Sequence, residues 1–350
     1  MFDFSRPLGP TNPFRCRVVA LRAQRGFRRR IRHICFQEFV MSRNFGIGSR
    51  DMVRAGRMIL GHSDRSFSSK ATLAERWGEF VPWARAKGIR HMEQIEKMTV
   101  IAYGEDLQGR VESGDLAPST AQNYLSAVNV VMALATEGAW PSVSPTRDCG
   151  IEKRSGIATV SRAIPPERHE AAKREVCVIV AVLLDLQRSM GLRLRESCLI
   201  NPKSALRQAE KQQWISVLDG TKGGRARQVP VSAFALEALH NASRVQGSQS
   251  MIPDTIRYVA FHRACYQQAT EAGVRFHGER HAYAQERYLE LSGAPAPIAA
   301  GWPRAERFQR MAEFLGVPEE EARQIDHTAR LQVASELGHG RVEVSNAYLG

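Results

Sequence analysis

A chain of 350 residues with 43% hydrophobic residues is long enough to bury a sizeable core, and more than one. Its net charge of +13 and pI near 9.9 favour a polyanionic partner, because steering and counterion release both reward clustered Lys and Arg, although a solvated basic surface has the same balance. No apolar run is long enough to span a bilayer, and six scattered cysteines (Cys16, Cys35, Cys149, Cys177, Cys198 and Cys265) lack C-x-x-C or metal-ligand spacing, as suits free thiols in a reducing cytoplasm.

Residues 1–65 read as a basic tail, with nine arginines in 1–40 set against only Asp3 and Glu38. The stretch from Arg25 to Arg32 has the composition of a nucleic-acid-binding arm or a transit-like peptide, and an uninterrupted apolar secretory core is missing. A third reading, that translation starts at Met41, is preferred. Residues 66–138 then read as three helices. In 72–88, Leu73, Trp77, Phe80, Val81 and Ala84 recur at helical spacing, and a second helix is expected over 92–111, stopping at Ser113-Gly114. The third opens at Pro118, carries Tyr124, Leu125, Val128, Val131, Met132 and Leu134 as an apolar stripe, and stops by Gly138. Lys70, Arg85, Lys87, Arg90 and Lys97 are the candidate DNA-facing cations of this bundle, against the plainer reading of solvated surface.

Residues 139–166 lose periodicity and collect Pro141, Pro145, Gly150, Gly156, Pro165 and Pro166, the composition of a linker. A second domain is expected over 167–350. It opens with a helix over 168–190, whose buried side is Val176, Ile179, Val180, Leu183, Leu184 and Leu186. Two β stretches, 214–218 and 228–231, flank a Gly-rich tip with Thr221 and Lys222, which reads as a β-hairpin. The remainder is mainly helical, and the whole is mainly α with a small β element (α+β).

Within the second domain, three groups of residues carry chemistry. Arg193 follows a tight Met190-Gly191 corner, and Glu196 stands three residues on, placed to hold its guanidinium. Alone, an Arg-x-x-Glu is usually a surface pair worth a few tenths of a kcal/mol. His277, Arg280 and His281 lie on one helical face. An H-E-x-x-H zinc site needs Glu directly after the first His, whereas Glu279 stands third and Arg280 would repel a metal, so phosphate contact fits better. Finally, His339 is followed nine residues later by Tyr348, and with only 7 tyrosines in 350 residues a match at one chosen offset has a 2% chance.

The ordered set Gly191-Leu192-Arg193 with Glu196, Thr221-Lys222, His277 with Arg280-His281, and Leu337-Gly338-His339 with Tyr348 resembles the tyrosine recombinases, or phage integrases, most of all those of mobile and integrative conjugative elements. The resemblance covers nearly all of 70–350. It implies a helical, SAM-like core-binding domain and a catalytic domain that together form a C-shaped clamp on DNA. It implies a site-specific recombinase that cleaves and rejoins strands without metal, ATP or other cofactor. Tyr348 would form a 3′-phosphotyrosyl bond, Arg193 and Arg280 would bind the non-bridging oxygens, and Lys222 would protonate the leaving 5′-oxygen. His277 would assist proton transfer from the phenol, His339 would hydrogen-bond a non-bridging oxygen, and Glu196 and His281 would buttress the site. Help is needed, since a free tyrosine is phenolate in roughly one molecule in a thousand at pH 7, ~4 kcal/mol uphill.

The same resemblance implies double-stranded DNA with specific recombination sites as partner, a homo-tetramer on paired sites, accessory DNA-bending or directionality factors, no membrane, and a bacterial cytoplasmic, nucleoid-associated location. Two departures stand out. Arg280 and His339 are 59 residues apart, longer than the family's usual spacing, so an insert is expected at about 288–327. It includes a Pro/Ala loop and a helix over 318–337 started by Glu319, Glu320 and Glu321. DNA contact, protomer contact and decoration are its three open roles. The chain also stops at Gly350, where many relatives continue into a segment that docks on an adjacent subunit. Two other readings are a non-catalytic DNA-binding relative and a type IB topoisomerase-like activity, with a metal-dependent nuclease more distant.

Overall fold

The computed structural model describes residues 43–350, so the arginine-rich stretch and the Met41 start lie outside the described residues. Two compact units emerge, one ending at Arg154 and the other beginning at Ser155, a division that falls within 139–166.

The first unit is built on four helices: α1 (Met52–Gly61), α2 (Phe67–Ala86), α3 (Lys97–Glu112) and α4 (Pro118–Ala135). Helix α1 corrects the extent of the basic tail. Asp51 caps it by accepting the Arg54 amide at 2.8 Å, and Met52, Ala55, Gly56 and Leu60 form its buried face. Gly56 is required there, because a Cβ would sit 2.2 Å from the Trp77 indole nitrogen, which itself donates to the Met52 carbonyl at 2.8 Å. Trp77, Phe80, Tyr103, Leu125, Val128 and Met132 fill the centre.

The single helix expected over 92–111 is instead a 3-10 turn (Met92–Gln94) followed by α3. Ile95 and Glu96 between them are extended, and the Glu96 amide donates to the Thr99 hydroxyl at 3.2 Å, so cap chemistry overrides the helical period. The first part of the expected linker belongs to this core. Val143 and Ile151 are buried, and Asn129 fixes Val143 by donating to its carbonyl and accepting its amide at 2.8 and 2.9 Å.

The second unit opens with α5 (Pro166–Glu175) and α6 (Val178–Met190), which divide the helix expected over 168–190. Val176 and Cys177 are extended at the break, and the Cys177 amide donates to the Gln268 side chain at 2.9 Å. Short α7 (Leu194–Leu199) and α8 (Pro202–Gln212) lead into a two-stranded antiparallel sheet of β1 (Trp214–Val217) and β2 (Arg227–Pro230), in which Val217 pairs with Arg227. Helices α9 (Ala233–Val245), α10 (Tyr258–Glu271), α11 (Phe276–Ser292), α12 (Pro297–Ala300), α13 (Arg307–Leu315), α14 (Glu319–Glu336) and α15 (Asn346–Leu349) complete it.

Apolar α6 is the axis, packed by α9 and α11. It ends at Gly191, whose φ of +60° is the left-handed conformation that favours glycine. A Cβ there would also meet the Tyr283 ring at 2.5 Å, so this corner is fixed twice over. The expected insert boundary at 288 is moved by the structure, because α11 continues to Ser292 and fully buried Tyr288 is core. The Tyr288 hydroxyl donates to Asp326 at 2.6 Å, and Asp326 holds Arg330 at 2.8 Å. Arg330 then reaches Asn346 Oδ1 and the Gly350 carbonyl, each at 3.0 Å, on either side of Tyr348. The extra helices therefore brace the Tyr348 segment.

Candidate active site

Arg193 is the N-cap of α7, in extended conformation directly after the Gly191 corner, rather than a residue within a helix. Glu196, three residues on, turns back to accept both the Arg193 amide and its Nη1 at 2.7 Å. That carboxylate is 1% exposed, and Arg227 closes on it with Nη1 at 2.9 Å and Nη2 at 2.7 Å. Burial pushes the Glu196 pKa up, but Arg227 and then Arg193 outweigh burial and hold it below the usual range.

Helix α11 presents different faces to different neighbours. Arg280, 0% exposed, donates from Nη1 to the Gly191 carbonyl and from Nη2 to the Leu337 carbonyl at 2.5 Å. Its Nε donates to the Tyr348 hydroxyl at 3.3 Å, and Nη2 also lies 3.3 Å from His339 Nε2. Arg193 Nη2 reaches the same Leu337 carbonyl at 3.5 Å, and Arg227 Nε donates to the Glu336 carbonyl at 2.7 Å. Three guanidinium groups thus converge on the C-terminal carbonyls of α14, where the helix dipole favours cations. Burial pulls the Arg280 pKa down to about 10, against the opposing effect of Tyr348, and the group stays a cation at neutral pH.

The Tyr348 ring sits among three imidazoles, at centroid distances of 4.5 Å from His281, 5.4 Å from His339 and 5.7 Å from His277. Desolvation, reinforced by Arg280 and other nearby cationic or imidazole groups, lowers all three: His281 to about 4, His339 to about 3, and His277 below its ordinary value. All three are therefore neutral at pH 7. His339 accepts from Arg280 at Nε2, which puts its own proton on buried, unpartnered Nδ1. Arg193, Glu196, His277, Arg280, His281, His339 and Tyr348 are thus brought together. Lys222 stands exposed in a 3-10 turn (Lys222–Gly224) at the hairpin tip, with no hydrogen bond or ion pair among the described residues.

The bundle cations are surface groups with local partners. Arg85 pairs with Asp51, Lys70 donates to the Gly61 carbonyl at 2.7 Å, and Lys87 lies 5.9 Å above the Trp83 ring. Arg90 and Lys97 are exposed.

Sequence reasoning missed the residues behind the site. By residue type alone Arg227 is one more hairpin cation and Glu336 one more helix acid, and neither stands in a short motif. Yet Glu336 is buried, accepts the Tyr283 hydroxyl at 2.7 Å and pairs with Arg287 at 3.1 Å, which fastens α14 to α11. Glu279, weighed only as a zinc-site glutamate, is fully buried behind Arg280, where it accepts from His169 at 2.9 Å and Arg188 at 3.2 Å.

His169, Glu170 and Asp185 bring three ligand-type atoms together, but they form an ion-pair cluster. Both nitrogens of His169 face carboxylates, Glu279 at 2.9 Å and Asp185 at 3.0 Å, and Lys173 lies 2.8 Å from Asp185. Burial alone would lower the His169 pKa, yet Asp185 and Glu279 raise it to about 9, so the ring is a cation and no metal ligand. The contribution of this raised pKa to stability is full below the unfolded value of about 6.5 and is lost as pH rises through about 9. We expect thermal stability to fall between pH 7 and 10 by on the order of 3 kcal/mol, and His169→Gln to flatten that slope. Melting curves of both proteins across this range check it; parallel curves would remove the cluster from the account.

The family model described as Integrase matches residues 150–286. Among solved structures, a lambda integrase (75-356) dimer bound to a COC′ core site superposes with a TM-score of 0.54 at 13% identity, covering 85% of this chain and 94% of that one. The Tn1549 transposon integrase in complex with a circular intermediate DNA gives 0.51 at 12% identity, covering 86% and 96%. XerH site-specific recombinase bound to palindromic difH substrate gives 0.50 at 13%, covering 85% and 80%. At such identities these three show a shared fold. No curated protein matches the sequence.

Proposed function

We propose that this chain, whose residues 150–286 match the Integrase family model and whose fold is shared with DNA-bound recombinases, is a tyrosine recombinase of the phage integrase type that cleaves and rejoins DNA at specific sites through a 3′-phosphotyrosyl intermediate. One observation carries the reading: the Tyr348 hydroxyl lies against a fully buried arginine, inside a ring of imidazoles that are neutral at pH 7.

Tyr348 Oη attacks the scissile phosphorus. A neutral His277 accepts the phenol proton, and Arg280 stabilises negative charge as it moves from the phenol to the non-bridging oxygens. Arg193 supplies the second guanidinium, whose planar fork matches phosphate oxygens. His339 Nε2, which faces Arg280 in the free protein, takes up the proton as the Nε2–H tautomer once phosphate engages Arg280 and donates to the same oxygens, while Glu196 and His281 keep the arginines and the phenol in place. Lys222, on its exposed tip, delivers the proton to the leaving 5′-oxygen. The covalent intermediate retains the energy of the broken bond, so rejoining needs no ATP. The surface cations Lys70, Arg85, Lys87, Arg90 and Lys97 contact backbone phosphates, and pairs of sites are joined within a homo-tetramer.

Covalent capture tests this. Nicked suicide duplexes with a randomised centre are incubated with the protein in EDTA, and adducts are isolated under denaturing conditions and peptide-mapped. A single adducted peptide containing Tyr348, carrying one recovered sequence, is the expected result. No adduct on any duplex, or attachment at another residue, would rule the reading out.

A further inference from the structure

We infer that Arg227 is a positioning residue that sets the hairpin bearing Lys222 against the two phosphate-binding arginines, and so governs protonation of the leaving 5′-oxygen. This rests on the strand-transfer reading above. The hairpin is small: β1 and β2 have four residues each, and an isolated two-stranded ribbon is marginal in water. Something outside the ribbon must fix where its tip points.

Strand β1 is held by α8, where the Gln208 side chain accepts the Ser216 amide at 3.0 Å and donates to its hydroxyl at 3.2 Å. Strand β2 is held by Arg227, the first paired residue after the exposed tip. This arginine is 7% exposed although it lies on a hairpin, and each of its three guanidinium nitrogens donates a hydrogen bond inside the protein. Nη1 and Nη2 clasp Glu196, the carboxylate that also holds Arg193, and Nε donates to the Glu336 carbonyl at the end of α14.

Its stem packs on the turn that carries His339. Gly338 has a φ of +69°, and a Cβ there would lie 2.9 Å from Arg227 Cδ. The hairpin turn is close on the other side, since a Cβ on Gly220 would lie 2.9 Å from the Arg195 carbonyl of α7. Arg227 is therefore the side chain shared by the strand that leaves the Lys222 tip, the carboxylate behind Arg193 and the turn before His339. Glutamine removes the cation from Glu196, and lysine, with a single nitrogen, cannot hold both Glu196 and the Glu336 carbonyl, so either replacement frees the β2 limb of the tip.

In cleavage, a bond forms between Tyr348 Oη and phosphorus as the phosphorus–O5′ bond breaks, the phenol proton passes to His277, and the Lys222 ammonium gives a proton to O5′. A duplex with sulphur in place of that bridging oxygen leaves as a thiolate and needs no such proton. The duplex recovered by covalent capture is therefore made in both forms and cleaved in single turnovers by wild type, Arg227→Lys, Arg227→Gln and Lys222→Ala. Both Arg227 variants should cleave the oxygen duplex about 100-fold more slowly than wild type and the sulphur duplex within about threefold of it, as Lys222→Ala does.

Equal losses on both duplexes, no loss on either, or no sulphur rescue of Lys222→Ala would overturn the inference. Melting temperature and DNA binding are measured alongside; should Arg227→Gln fail to fold, Arg227→Lys, which retains a cation for Glu196, decides alone. Failure of the wild type to form any adduct would instead remove the underlying strand-transfer reading, so the two failures are distinct.

Discussion

Replacing Tyr348 with phenylalanine is expected to abolish covalent capture of DNA while leaving DNA binding and the fold intact. The substitution removes one oxygen and nothing else. The ring keeps its packing against His281 at 4.5 Å and His339 at 5.4 Å, and its backbone carbonyl still accepts from Gln285 at 3.0 Å. What is lost is the 3.3 Å hydrogen bond from Arg280 Nε, a net stabilisation of about 1 kcal/mol, so the melting temperature should move by only a few degrees. Phenylalanine carries no nucleophile, and the buried Arg280 beside it is a cation. Denaturing gels of the captured duplex and gel shifts of the intact one measure the two properties separately. Adducts persisting in Tyr348→Phe would move the chemistry to another residue.

Arg280→Lys is expected to slow cleavage by about a thousandfold or more and also to destabilise the second unit. A guanidinium in this position donates in four directions, to the Gly191 carbonyl, the Leu337 carbonyl, His339 and the phenol. An ammonium has a single nitrogen and cannot span them. At least one buried carbonyl is then left without a donor, at a cost of about 1–3 kcal/mol. The rate effect comes from losing a fixed, forked cation at the place where charge develops, and the stability effect from the orphaned carbonyls. Single-turnover rates on the captured duplex and melting curves resolve the two. A rate within tenfold of wild type would mean that Arg280 is structural and that Arg193 alone carries the phosphate charge.

Much of the local architecture could be read along the chain. Pro118 opens a helix, Gly191 closes one in left-handed conformation, and the acids at 319–321 begin α14. The three-residue and four-residue spacings from His277 to Arg280 and His281 put those groups on one helical turn, and the Gly191 corner with Glu196 three residues beyond Arg193 marked the pair. Helix α1 was missed although its signal was present. Asp51, Met52, Ala55, Gly56 and Leu60 have cap and spacing, but Arg54 and Arg57 between them made the stretch look like more of the basic tail. The breaks before α3 and α6 were missed because a continuous apolar period conceals a local cap. Thr99 and Gln268 supply the competing hydrogen bonds, and Gln268 is 91 residues from the amide it accepts.

The sequence by itself determined the inventory and order of chemical groups: a basic chain, a bundle before a proline-rich stretch, two arginines each beside an acid or histidine, a hairpin lysine, and a tyrosine after a histidine. These follow from residue type and from short spacings, which the geometry of helix and strand translates directly into faces. Only the tertiary structure decided which charges are functional partners and which are solvated. Arg227 and Glu196 are 31 residues apart, Tyr283 and Glu336 are 53 apart, and Arg280 meets Tyr348 across 68. Each pair is an ordinary surface arginine, acid or phenol by composition. Burial changes their chemistry, because a carboxylate or guanidinium removed from water must find its counterpart, and that counterpart is chosen by how the helices pack.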